Sequence, residues 1–294
     1  LSLPALQAFV PEIIPERFIF TAMALNTTGC NLSRIIGPAL AGLLIAWLAG
    51  GDKTSAYGVG IVYLVIASLY LFSSLTVLKV DRPGKAQRSR EGDTWSDTLD
   101  GLRYVMAHPR VFALIILSIL PFLFGLPLHT LLPAFNQDVL QGHADDLGYL
   151  ISAMGGGAIV GSLLMATMGD LRNKGFWLIV SCLGWGAVTA AFGVFEVQWA
   201  ALVLIAAIGM LSSWNMSLNR GMLQMQVEGH MRGRIMSIDM MSHGLMPLGV
   251  FPISLIAEYH GVGAALVTSG IALIAITLAV TVFMPSVRGT LRAD

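Results

Sequence analysis

The chain has 294 residues, 55% of them hydrophobic and 12% charged, with a mean hydropathy of +0.75. A soluble globular domain is about 25% charged, so the composition excludes the soluble class and defines an integral membrane protein. The 17 basic and 17 acidic residues cancel, so the balance itself points to neither nucleic acid nor acidic partners, and no nucleic-acid partner is expected.

A window of about 19 residues finds eight runs long enough to cross roughly 30 Å of hydrocarbon. They are Phe18–Leu48, Tyr57–Leu78, Val111–Pro133, Leu147–Met168, Phe176–Phe195, Trp199–Leu218, Ile235–Ala257 and Val262–Met284. The expected fold class is therefore all-α integral membrane, with eight transmembrane helices. Connections are short and polar, apart from residues 79–110, which are basic, rich in Asp, Arg and Ser, and read as a linker between two bundles. If the segment before Phe18 is cytoplasmic and the spans alternate, fifteen of the seventeen basic residues fall on one side. Lys53 falls on the other and Arg34 stays within a span. Basic residues resist translocation, so both ends of this chain are expected in the cytoplasm and the protein in the cytoplasmic membrane.

In chain order, LQAFVPEIIPER (Leu6–Arg17) comes first. It shares Leu, Gln, Val and Arg in one register with LQMQVEGHMRGR (Leu223–Arg234), at a constant offset of 217. The second copy is the end of one span, a loop and the start of the next. Leu1–Val10 is thus expected to be the tail of another helix, and the chain to be part of a longer one that has nearly four more N-terminal helices. Parallel repeats of this sort characterise transporters built from two six-helix halves.

The first span contains NLSRIIGPALAG, Asn31–Gly42. Thr27, Asn31, Arg34 and Pro38 recur at steps of three or four and form one polar stripe. An unpaired charge at the bilayer centre costs about 2.5–3.5 kcal/mol on insertion scales. Arg34 lies about 25 Å from Gly51 at 1.5 Å per residue, near the cytoplasmic boundary, where snorkelling is cheap. Two readings stay open: an interior arginine that meets an anionic substrate or a carboxylate, and a structural arginine tied to loop acids. Gly37, Pro38, Ala41 and Gly42 leave a bent face of small residues for close packing. Gly157 and Gly161 form a second such face in the fourth span. Asn215 and Asn219, four apart, can line a cavity or clamp another helix. Asp239 and His243 share a face and are either a proton-coupling pair or, for Asp239, part of a boundary ion pair with Arg234. Trp47, Tyr57, Trp177 and Trp199 sit near span ends, as an interfacial belt requires. Cys30 and Cys182 lie in apolar runs without CxxC or metal-ligand spacing, so both are expected to be small packing residues, with no metal site. The sequence contains no HExxH, GxSxG, Walker loop or paired catalytic carboxylates, and no cofactor or enzymatic activity is expected. A receptor or membrane-embedded enzyme is the competing class.

LPALQAFVPEIIPERFIFTAMALNTTGCNLSRIIGPALAGLL and RGRIMSIDMMSHGLMPLG resemble the major facilitator superfamily, in the branch of the enterobactin exporter and the transmembrane secretion effectors. The resemblance covers essentially the whole chain, as helices five to twelve of twelve. It implies that residues 1–78 end an N-terminal six-helix bundle, that 79–110 form a cytoplasmic linker, and that 111–294 form the C-terminal bundle. Gly37-Pro38-Ala39-Leu40-Ala41-Gly42 is similar to the antiporter motif, with Ala41 in place of a glycine. The stretch Gly169, Asp170, Leu171, Arg172 through Gly175 resembles the gating-loop motif in a degenerate form. The resemblance also implies that the fifth and eighth helices meet between the halves, with Gly157 and Gly161 facing the Gly37–Gly42 motif. It further implies a monomeric secondary transporter in contact with lipid, exporting drug-like or siderophore-like small molecules by alternating access and coupled to protons.

Overall fold

A computed structural model describes residues 18, 19, 21–30, 32, 33, 44, 56–77, 94–167 and 173–283. The chain falls into two units, Leu1–Gly29 with Glu91–Asp294, and Cys30–Arg90. Among the described residues all regular structure is helical. The second unit contributes α2 (Ala56–Val77), apolar on every side, as befits a rod surrounded by hydrocarbon. The first unit contains α1 (21–30), α3 (Thr94–Ala107), α4 (Pro109–Asp138), α5 (Ala144–Thr167) and α6 (Lys174–Val194). It continues through α7 (Gln198–Gln226), α8 (Arg232–Met241), α9 (Met246–His260) and α10 (Val262–Phe283). Among the described residues six stretches are long and apolar enough to cross a membrane, with α8 and α9 counted as one. They correspond to the six spans expected from Val111 onward. The span expected at Phe18–Leu48 lies largely outside the described residues.

Two boundaries differ from expectation for physical reasons. Helix α7 continues to Gln226, past the expected end at Leu218. Hydropathy falls there because Asn219 and Gln224 are polar, yet both are buried in protein and never meet lipid. The other boundary lies within the expected linker, where Thr94–Ala107 form α3. Its Gly101 is pressed so close to Ile238 of α8 that a Cβ would come within 2.8 Å of Cδ1, and Asp100 lies 3.9 Å from Arg234.

Among the described residues two spans are broken. In α4, Pro121 has no N–H to donate, and the helix widens over Pro121–Gly125 into a π turn. The Leu126 N–H then reaches the Pro121 carbonyl at 2.9 Å. Between α8 and α9, residues Ser242–Leu245 tighten into a 3-10 turn just before Pro247. The two breaks adjoin, and Gly249 lies directly on the Leu123 carbonyl, where any Cβ would collide with backbone.

The glycine face of α5 packs differently from expectation. A Cβ on Gly157 would collide with the Ala206 carbonyl, and one on Gly161 would stand 2.7 Å from the Met210 carbonyl, both on α7. Gly209 of α7 returns the contact against Met154. The Gly157–Gly161 face is therefore filled by α7, and the Gly37–Gly42 motif expected to meet it lies outside the described residues. Helix α1 does reach α5, but through other residues: Thr28 Oγ1 donates to Ser162 Oγ at 2.6 Å. Lipid supplies no hydrophobic drive between helices, so close backbone approach and hydrogen bonds must hold them, and α5 uses one face for each. A similar glycine seam joins α6 to α10, where a Cβ on Gly193 would meet the Gly263 carbonyl at 2.6 Å. Cys182 packs in that seam, 3.3 Å from Thr277 Oγ1. Cys30, expected to pack likewise, is exposed, because an apolar sequence alone does not distinguish lipid-facing from protein-facing sides.

Gly157→Leu is expected to destabilise the bundle by more than about 3 kcal/mol, at or beyond the top of the usual overpacking range. Gly156→Leu, at a position with no atoms within 4 Å, should be tolerated. Thermal unfolding and size-exclusion profiles of the two variants in one detergent check this, and equal losses would contradict the α5–α7 seam.

Candidate functional site

The polar side chains of the bundle interior converge from α4, α6, α7 and α8. Helix α4 supplies Ser118, the one hydroxyl in the apolar run ALIILSIL. Helix α7 supplies Asn215 and Asn219, one turn apart and so on one face. Asp239 of α8 is 1% exposed, and Ser118 Oγ donates to its Oδ1 at 2.6 Å. Asn219 Nδ2 donates to the Leu114 carbonyl of α4 at 3.0 Å. Asn215 Nδ2 donates to Ser181 Oγ of α6 at 3.3 Å. A buried acceptor left without its donor costs about 1–3 kcal/mol, so the Ser118–Asp239 link ties α4 to α8.

Beside this network lies a small, partly open cavity of about 40 Å³. Its polar lining is Ser118, Asn215, Asn219 and Arg220, and its apolar lining includes Pro121, Phe122, Leu126 and Met216. Trp185 of α6 completes the wall. The indole is pressed against the π turn, where a Cβ on Gly125 would come within 2.8 Å of Trp185 Cε2. Among the described residues, Trp185 Nε1 and Asn219 Oδ1 are buried without a hydrogen-bond partner.

Of the residues singled out in the sequence, the structure brings Asn215, Asn219 and Asp239 into this one region. Gly157 and Gly161 form the α5–α7 seam. His243 lies in the 3-10 turn that follows α8. Arg34, Asn31, Gly37, Pro38, Ala41, Gly42, Gly169, Asp170 and Arg172 lie outside the described residues. Of the polar stripe that leads to Arg34, Thr27 is described and faces protein: it is 7% exposed and accepts from Ser217 Oγ of α7 at 3.2 Å. Arg234 meets Asp100 of α3, a partner that a search along α8 alone could not supply. Sequence reading missed Ser118 and Trp185. Trp185 had a signal, since it is a tryptophan deep within a span rather than at the interface where the residue usually lies. Among the described residues no group of His, Cys, Asp and Glu could hold a metal.

An all-helical bundle of apolar spans, with discontinuous helices and a polar interior, is the architecture of a multi-pass membrane protein of the major facilitator superfamily. Residues 1–290 match the family described as transmembrane secretion effector, and the chain belongs to it. It is similar to the staphyloferrin A transporter of Staphylococcus aureus, 26% identical over 94% of this chain and 66% of the relative. It is also similar to macrolide efflux protein A of Streptococcus pyogenes, 21% identical over 94% of this chain and 67% of the relative. Against the enterobactin exporter of Escherichia coli it is 28% identical over 80% of this chain and 54% of the relative. The chain thus spans between about half and two thirds of the length of these relatives.

Ser118→Ala should lower stability by about 1–3 kcal/mol, because it withdraws a donor from a buried carboxylate. Asp239→Asn in the same background should restore part of that loss, since the charge is then gone. A double-mutant cycle on thermal unfolding measures the coupling, and additive losses would contradict it.

Proposed function

We propose that this chain belongs to a secondary active transporter that exports small molecules across the cytoplasmic membrane by alternating access, driven by proton entry. The observation that carries this reading is the family match along residues 1–290. Relatives named for macrolide efflux and enterobactin export favour drug-like or siderophore-like cargo. In this reading residues 1–78 end one bundle, 79–110 link it on the cytoplasmic side, and 111–294 form the second. The protein works as a monomer with both ends of this chain in the cytoplasm, and no cofactor takes part.

Asp239 is the proton carrier. Ionised, it can only accept hydrogen bonds and holds Ser118; protonated, it becomes a donor as well. The tie between α4 and α8 is thereby rearranged next to the two helix breaks, where the backbone is least constrained by regular hydrogen bonding. His243, one turn on, is the candidate relay. Arg34 and Asn31 contribute to the cavity or its mouth, with the Gly37, Pro38, Ala41 and Gly42 stretch as a bent packing face. Gly169, Asp170 and Arg172 act in the gating loop.

Energised inverted vesicles that contain the full-length protein should accumulate enterobactin or a macrolide and lose it on collapse of the proton gradient. Asp239→Asn should abolish gradient-driven accumulation by more than tenfold and preserve substrate–substrate exchange. Wild-type accumulation in Asp239→Asn would remove the proton role from this residue.

A further inference from the structure

We infer that α3 is an interfacial anchor: the flank formed by Leu99, Leu102 and Met106 docks into the phospholipid leaflet beside the starts of α4 and α8. Its partner is the boundary between acyl chains and headgroup phosphates. This contact does not depend on the transport function.

Helix α3 has three sides of different chemistry. Leu99, Leu102 and Met106 recur at steps of three and four, within about 60° of one another at 3.6 residues per turn. They are 38%, 47% and 71% exposed. On one side of them lie Gly101 and Val105, which are buried, with Gly101 against Arg234 and Ile238 of α8. On the other lie Asp100 and Arg103, both exposed and 3.7 Å apart. Protein contact, apolar flank and charged flank thus follow one another around the helix. A surface helix in water turns one apolar stripe to the core and polar residues elsewhere. Here a second apolar flank adjoins the first and is left exposed.

Depth decides what covers that flank. Helix α3 ends at Ala107 and α4 starts at Pro109, so only His108 separates α3 from a span. The His108 backbone N–H donates to the Tyr104 carbonyl at 3.0 Å, and its Nδ1 lies 2.8 Å from the same oxygen, which ties the junction to the last turn of α3. The Gly101 contact with Arg234 and Ile238 falls in the first two turns of α8, at the start of a second span. Both contacts hold α3 at the height where spans begin. Tryptophan and basic side chains collect at that level. Arg103, Arg110, Arg232 and Arg234 lie there, and the sequence carries Trp95 four positions before Leu99, in the same register. A helix in the interface plane sinks its apolar face about 5–10 Å into the boundary. Arg103 adjoins the apolar flank, and its side chain is 80% exposed. A protein cover would take that charge out of water at a cost, whereas a leaflet accepts its stem and offers phosphate to its guanidinium.

The test places p-benzoylphenylalanine at Leu102 and, separately, at Met106 of the full-length protein in liposomes of phosphatidylethanolamine and phosphatidylglycerol. After irradiation, mass spectrometry identifies what each position has captured. Both should yield mainly phospholipid adducts, like Val203 on α7, which is exposed along a span, while the buried Val105 should yield adducts within the protein. A main adduct within the protein at Leu102 or Met106 would assign the flank to another helix and overturn the inference. No adduct at either would make the flank water-facing and overturn it too. A second measurement is amide hydrogen exchange over residues 94–107 in the double variant Leu102→Glu, Met106→Glu. Leucine and glutamate have similar helix propensity, so a water-facing helix would keep its protection. Loss of two lipid-buried apolar side chains should instead speed exchange by more than about tenfold, and unchanged exchange would overturn the inference.

Discussion

The structure depends on how closely helix backbones approach where side chains are absent. In water, apolar faces drive helices together; in hydrocarbon that drive vanishes, because lipid tails are as apolar as leucine. The α5–α7 pair replaces it with glycine against carbonyl, at Gly157, Gly161 and Gly209. That contact fixes the rotation of α7 about its own axis, and all else on the helix follows from the rotation. Asn215, Ser217 and Asn219 are turned into the bundle, while Val203 and Trp199 are exposed.

With α7 so held, the interior polar groups form a connected set rather than scattered exceptions. A buried polar group without a partner costs several kcal/mol in an apolar medium, so hydrogen bonds in the bundle interior are specific. Ser118 reaches Asp239, Asn219 reaches Leu114 and Asn215 reaches Ser181. These ties cross from α7 to α4 and α6 and from α4 to α8, beside the stretches where α4 widens and the α8–α9 span tightens. A transporter that rocks needs elements with two arrangements, and a hydrogen-bonded carboxylate next to a helix break is suited to that.

Much of this was legible in the sequence. The six spans from Val111 onward follow from hydropathy alone, because length and apolarity are local properties. The buried asparagines and Asp239 stood out because a polar side chain inside a span has to face protein. What was not legible is relational. Gly157 and Gly161 announced a close packing face, but a row of glycines has no side chain to name its partner, and α7 occupies it. Ser118 carried no signal, since a serine can always satisfy itself on its own helix. Its meaning came from Asp239, 121 positions away. The helical form of residues 94–107 was obscured by a search tuned to long apolar runs, which passes over a short amphipathic helix that lies against α8.

The central claim is that α7 turns its asparagines inward and its apolar residues outward. The most direct measurement is electron paramagnetic resonance with a nitroxide at Asn219 and, separately, at Val203, in full-length protein reconstituted into lipid, reading collision rates with oxygen, which concentrates in hydrocarbon. The account predicts a high oxygen collision rate at Val203 and a several-fold lower one at Asn219. Equal, lipid-like rates at both sites would contradict it.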